Sequence, residues 1–149
     1  MTSRRRGKRL SEEGDAQKRR PESASPGLTH WHFVDAAPFT KATKAIGLGS
    51  EHLAELRKWI AQNPQGVGPV IPGTGCLRKV RWVDPVRNLG KRGGLRVIYA
   101  VFTDIRTVVL LTVYGKNERE DLTFQERNTL REVAGFMHDD LKQARNLEM

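Results

Sequence analysis

The most constraining stretch lies between Cys76 and Gly115, where three apolar-rich runs follow one another with little chain between them. Cys76–Val83 (CLRKVRWV) alternates. Leu77, Lys79, Arg81 and Val83 fall on one side and Cys76, Arg78, Val80 and Trp82 on the other, the period of a half-buried strand. Leu95–Phe102 (LRVIYAVF) and Thr107–Gly115 (TVVLLTVYG) are rich in branched and aromatic residues. Thr103–Arg106 between them is too short for a crossover, so these two runs must be antiparallel neighbours. Asp84–Gly94 (DPVRNLGKRGG) links the first two as a Gly-rich basic loop. A three-stranded antiparallel meander is therefore expected.

The flanks read as helices. Trp31–Ala36 alternates as a short strand. Pro38 suits a first helical turn, with Phe39, Ala42 and Ile46 on one face and Gly47 and Gly49 as the stop. Ser50 is the expected N-cap of a second helix, with Glu51 in its first turn. Leu53, Leu56, Trp59 and Ile60 recur along that helix, and Asn63-Pro64 ends it. Residues 64–75 hold three prolines and four glycines and read as an extended loop. After KNERED, Thr123 and Glu126 form a T-x-x-E capping box. Leu130, Val133, Ala134, Met137 and Leu141 then make one apolar stripe, a helix of about five turns packed on the sheet or on the helical pair. The order is β-α-α-β-β-β-α with an antiparallel sheet, an α+β fold. A chain of 149 residues suits one such domain over residues 31–149. Residues 1–30 read as a disordered basic arm, because Leu10 and Leu28 are their only large apolar residues after Met1.

Charge is concentrated rather than spread. The net charge is +9, of which residues 1–30 carry +4. Residues 76–96 carry +6, so the rest of the body is close to neutral. A local cationic focus of this kind suits a polyanion, most often nucleic acid. No apolar run could cross a membrane, and the Arg-rich start is no secretory signal. A lone Cys76 excludes an internal disulfide and points to a reducing, cytoplasmic setting.

The chemistry on offer is narrow. His30, His32, His52 and His138 show no metal-ligand spacing, so neither a metal nor another cofactor is expected. Arg78 and Lys79 could lower the pKa of Cys76, but no histidine lies near it in sequence to make a nucleophile. The sheet offers more. Lys79 and Arg81 stand two apart on the first long strand. Arg96 comes early in the next strand, and Tyr114 and Lys116 stand at the exit of the third. A meander can bring these five together as a catalytic set for RNA phosphodiester cleavage. A ribose 2′-OH would attack the adjacent phosphorus while fixed cations stabilise the charge on its oxygens. Crowded cations could also depress a lysine or tyrosine pKa and so make a base. Arg78, Arg87, Lys91 and Arg92 would contact RNA phosphates outside that set.

IPGTGCLRKVRW (Ile71 to Trp82), GKRGGLRVIY (Gly90 to Tyr99), LLTVYGKNEREDLT (Leu110 to Thr123) and the following QERNTLREV resemble the RelE superfamily of bacterial toxins, in its HigB-like branch. The resemblance runs from about Phe33 to Leu141. It implies a microbial-ribonuclease-like α+β fold and ribosome-dependent cleavage of A-site mRNA, in which Arg78, Arg87, Lys91 and Arg92 would contact ribosomal phosphates as well. It also implies an antitoxin partner, commonly a small helix-turn-helix protein of the HigA type. Lys79 and Arg81 fall on the family's two basic strand residues and Arg96 on its phosphate-binding arginine. Tyr114 and Lys116 match the Y-x-K-N-E pattern of the branch. The chain departs from RelE at Asn117, where RelE has arginine, and at Thr123, where it has a catalytic tyrosine. The branch usually has glycine at the position of Cys76. The general base is thus unassigned. Because the resemblance starts near Phe33, a shorter native product beginning near Leu28 is a further expectation. The alternative within the same fold is a binding protein that docks on ribosome or nucleic acid with its antitoxin and does not cut. A related gyrase-poisoning group lacks the basic set, so Lys79, Arg81 and Lys116 argue against it.

Overall fold

A computed structural model describes residues 30–148 apart from Lys91 and Gly93. The expected arm, residues 1–30, lies outside the described residues except for His30, and Lys91 lies outside them too. The elements follow the order β1 (His32–Asp35), α1 (Ala37–Ile46), α2 (Ser50–Gln62), β2 (Leu77–Trp82), β3 (Leu95–Phe102), β4 (Thr107–Gly115) and α3 (Phe124–Glu148). This is the α+β order read from the sequence. None of the described helices is long and apolar enough to cross a membrane.

One sheet in the order β1-β4-β3-β2 carries everything else. The three long strands pair antiparallel, as their short connections require. The fourth departs from the expected all-antiparallel sheet, because β1 pairs parallel with β4, His32 opposite Thr107 through Asp35 opposite Leu110. Two helices and two strands separate β1 from β4, so no turn dictates its direction, and it fills the open edge of β4.

Alternation along the strands divides the core in two. Leu77, Ile98, Ala100, Val109 and Leu111 pack with Leu130, Ala134, Met137 and Leu141 of α3. Val80, Val97, Tyr99, Val108 and Leu110 pack on the other face with Phe39 of α1 and with Leu56 and Ile60 of α2. The stripe read on the terminal helix is thus the face it buries, on the sheet rather than on the helical pair.

Local chemistry sets the helix ends. Pro38 sits in the first turn of α1, and Gly47 closes it in the left-handed region at φ 93°. The residue expected to cap α2, Ser50, is instead already helical. Gly49 stands at the N-cap, and its N–H donates to Nδ1 of His52 at 3.1 Å. The capping box of α3 forms as read: Glu126 N–H donates to Thr123 Oγ1 at 3.1 Å and Thr123 N–H to Glu126 Oε1 at 2.8 Å. That helix runs 25 residues, longer than the expected five turns. Beyond Leu141 good helix formers continue it, and Arg145 ties its end down by donating to Ile105 O at 3.0 Å.

Candidate functional site

The strand register builds the site. Arg81 of β2 lies opposite Arg96 of β3, and Arg96 lies opposite Tyr114 of β4, one row across three strands. Lys79 lies opposite Ile98, one step along the same face. Tyr114 joins this row only because of a bulge. Ile98 pairs with Thr112 but Tyr99 pairs with Leu110, leaving Leu111 as an extra residue in β4. Leu111 and Tyr114 are three apart, and regular alternation would put them on opposite faces. The bulge gives both the α3 face.

At this end of the sheet a cleft of about 660 Å³ is lined by Lys79, Arg81, Arg96 and Lys116, together with Glu120 and Asp121. Four of the five residues expected to carry the chemistry therefore share one cavity. Their states differ. Arg81 is exposed. Lys116 is half-buried beyond the end of β4, and its backbone N–H donates to Gly94 O at 3.0 Å. Arg96 is only 5% exposed, and its guanidinium donates to Arg92 O at 3.1 Å and Leu95 O at 3.2 Å. Lys79 Nζ is 3.4 Å from Asp121 Oδ1.

Tyr114 does not line the cleft. It is 5% exposed, and its hydroxyl has no hydrogen-bond partner among the described residues. The Arg119 guanidinium lies over its ring, 5.1 Å from the centroid. Burial, and secondarily the Asp121 carboxylate, push its phenol up to about 12, against the opposing pull of Arg119 and Arg96. The sequence-based expectation that crowded cations could depress a tyrosine pKa into the range of a base is thus reversed for Tyr114, because removal from water outweighs the nearby charges.

Sequence reasoning missed the two carboxylates. The KNERED segment reads as a break between elements, yet it brings Glu120 and Asp121 into the cleft. The available signal was its place, directly after Lys116 at the exit of the last strand. Asp121 takes a 2.8 Å hydrogen bond from Leu122 N–H and lies 3.3 Å from Arg127 Nη2. Burial raises its pKa, but the Leu122 N–H and the charges of Lys79 and Arg127 outweigh that and hold it below the usual carboxylate value.

With this geometry the chain can be set against known proteins. No family model matches it. Similar solved structures include a doubly substituted E. coli toxin RelE in the free state, 18% identical over 62% of this chain and 90% of that one, with a TM-score of 0.43. They include an archaeal RelE–RelB complex from Pyrococcus horikoshii, at 19% identity over 61% of this chain and 100% of that one, TM-score 0.42. A conserved hypothetical protein from Helicobacter pylori matches at 14% identity over 59% of this chain and 97% of that one, also with a TM-score of 0.42.

Of the residues expected to contact RNA or ribosome outside the catalytic set, Arg78 and Arg87 hold groups of the protein itself. Arg78 lies opposite Tyr99, on the α1–α2 face, and donates to Gln65 O and Gly68 O, both at 2.7 Å. It pins the Pro/Gly loop. Arg87 Nε donates to Asp84 Oδ2 at 2.8 Å, while Val86 and Arg87 N–H donate to Asp84 Oδ1. Arg87 thus shapes the basic loop around a fully buried carboxylate. Arg92 is exposed. Cys76 also departs from expectation. Burial raises its pKa, and the opposing cation is Arg131 of α3 rather than Arg78 or Lys79.

Proposed function

We propose that this chain is the toxin of a toxin–antitoxin pair and an endoribonuclease acting on mRNA in the ribosomal A site. The observation that carries the reading is the gathering of Lys79 and Arg81 of β2, Arg96 of β3 and Lys116 just past β4 into one cleft. These are the cations that the RelE-like, HigB-like sequence pattern marks for phosphate chemistry. In the reaction the ribose 2′-oxygen attacks the adjacent phosphorus. The P–O5′ bond breaks to leave a 2′,3′-cyclic phosphate, with a net transfer of one proton from the attacking 2′-hydroxyl to the departing 5′-oxygen. Arg81 and Lys116 stabilise the charge growing on the non-bridging oxygens in this reading, which their shared place on the cleft wall supports. Arg96, held by the Arg92 and Leu95 carbonyls, fixes the floor of the cleft. Half-buried Trp59 lines the same cavity and offers a base an apolar wall. The proposed partners are the ribosome and a helix-turn-helix, HigA-like antitoxin encoded beside the toxin, and the proposed setting is the cytoplasm.

A second reading, docking on ribosome or nucleic acid without cutting, is favoured by two observations. Tyr114 is buried with its phenol raised to about 12, and among the described residues no histidine lines the cleft. Induced expression with primer extension on cellular mRNAs separates the two. The nuclease reading expects cuts inside translated mRNA, little cutting of naked RNA, and loss of cutting in Arg81→Ala and Lys116→Ala. Co-sedimentation with ribosomes and no cuts would establish the second reading.

A further inference from the structure

Asp121 occupies an unusual position for an acid in a cationic cleft. Its carboxylate bridges two cations from different elements, Lys79 Nζ of β2 at 3.4 Å and Arg127 Nη2 of α3 at 3.3 Å. Both separations exceed the 2.7–2.9 Å of a strong charge-assisted hydrogen bond. Lys79, Asp121 and Arg127 side chains are 32%, 41% and 31% exposed, and ion pairs this accessible to water hold weakly. The Arg127 Nε is buried with no hydrogen-bond partner among the described residues. Asp121 also lies on a boundary. A second cavity of about 250 Å³, lined by Lys79, Asp121, Arg127 and the Pro69–Pro72 segment, adjoins the main cleft and shares Lys79 and Asp121 with it.

A carboxylate bridging a lysine and an arginine presents the same charge and paired oxygens as a backbone phosphodiester. We infer that Lys79 and Arg127 form a phosphate subsite which Asp121 holds shut in the free protein, so that a bound RNA strand displaces Asp121 and continues into the adjoining cavity. This deepens the reading of the cleft as a polynucleotide site and rests on it. Arg127 is then a binding residue contributed by α3, outside the strand set that the sequence pattern marks. Asp121 makes the free protein a weaker ligand for phosphate-bearing molecules at large, because two of its cations already have an anion.

The test uses the full chain and a single-stranded 2′-deoxy oligonucleotide, which cannot be cut by 2′-OH attack, with binding read by fluorescence anisotropy at several salt concentrations. Asp121→Asn keeps an oxygen to accept the Leu122 N–H while removing the charge. It should tighten binding about three- to tenfold, and Arg127→Gln in the same chain should cancel most of that effect, the coupling expected of groups in direct contact. Its salt dependence should steepen by roughly 0.7 in log–log slope for each further phosphate that the protein neutralises. Equal tightening with and without Arg127, or no tightening, overturns the inference. Should Asp121→Asn fail to fold, the unsubstituted chain still decides. The Arg127 Nε–H resonance must move when the oligonucleotide binds, and an unmoved resonance overturns the subsite. Arg81→Ala separates this inference from the reading beneath it. If Arg81→Ala weakens binding but Asp121→Asn does not strengthen it, the cleft stands and the subsite falls. If the unsubstituted chain does not bind the oligonucleotide at any salt concentration, both fall.

Discussion

A cationic side chain can serve a substrate only with donors that the fold leaves open or holds by a contact weak enough for the substrate to displace. By that measure the basic residues of this chain fall into two groups. Arg78 and Arg87 hold loop carbonyls and a buried carboxylate, and Arg96 donates to two backbone oxygens while lining the cleft. Arg81 is exposed on the cleft rim. Arg81→Ala should therefore lower cleavage by about 10²–10³ if it acts in the transition state, with the melting temperature unchanged. Arg96→Ala should lower both, losing about 1–3 kcal/mol of stability because it removes a nearly buried guanidinium and its hydrogen bonds to the Arg92 and Leu95 carbonyls. Thermal melts beside single-turnover cleavage check the contrast, and an Arg96→Ala variant with an unchanged melt would remove its structural role. Tyr114 obeys the same logic from the opposite direction. Its buried hydroxyl has no partner among the described residues, so Tyr114→Phe should leave stability unchanged or raise it by up to about 1 kcal/mol, with cleavage intact. A large loss of cleavage in that variant would show that the hydroxyl reaches the reaction.

At the scale of elements, two backbone irregularities aim the site. The extra Leu111 turns Tyr114 onto the α3 face. Gly94, at the entrance to β3, runs so close to β2 that a Cβ on it would stand 2.4 Å from Trp82 O and 2.6 Å from Gly90 O. Its carbonyl also receives Lys116 N–H, so one glycine links the starts and ends of the strands that carry Arg81, Arg96 and Lys116. Gly94→Ala must push backbone against backbone, a cost of about 1–3 kcal/mol. It should also weaken RNA binding although it removes no charge, which anisotropy at fixed salt can measure. Unchanged binding with lowered stability would mean that the cleft tolerates a shift of β3.

At the scale of the molecule, stability should narrow from both ends of the pH range. Burial raises the Asp84 pKa, but the backbone and guanidinium N–H groups of Arg87 and the Val86 N–H outweigh it, leaving the carboxyl below its ordinary 3.8. A depressed folded pKa contributes stability that is present above the unfolded value and lost as pH falls through the folded one. Asp84→Asn should accordingly lower stability at neutral pH, by about 2 kcal/mol, and flatten the acid limb below about pH 4. The alkaline limb has the opposite sign. Tyr99 and Tyr114 are both raised to about 12, chiefly by burial, so above pH 10 the unfolded chain releases protons that the folded one keeps. Stability should fall between about pH 10 and 12, less steeply in Tyr114→Phe than in the unsubstituted chain. Denaturant melts across pH check both limbs, and parallel curves for the variants would refute the assignments.

The α+β order, the meander, the apolar stripe of α3 and its capping box were legible in the sequence, because each rests on periodicity or on groups a few residues apart. The gathering of Lys79, Arg81, Arg96 and Lys116 was legible for a related reason: strand alternation fixes a face, and short connections fix the neighbours. Tertiary structure alone decided the rest. The parallel pairing of β1 depends on which sheet edge stays open. The orientation of Tyr114 depends on a bulge that leaves alternation in the sequence looking regular. Whether Arg78, Arg87 or Arg96 has donors to offer depends on carbonyls and carboxylates that fold back from other segments. The place of Asp121 just after Lys116 hinted at the cleft, but its pairing with Lys79 and Arg127, distant from each other in the chain, was decided by the fold, since sequence records the charge a residue carries but not the ion it meets.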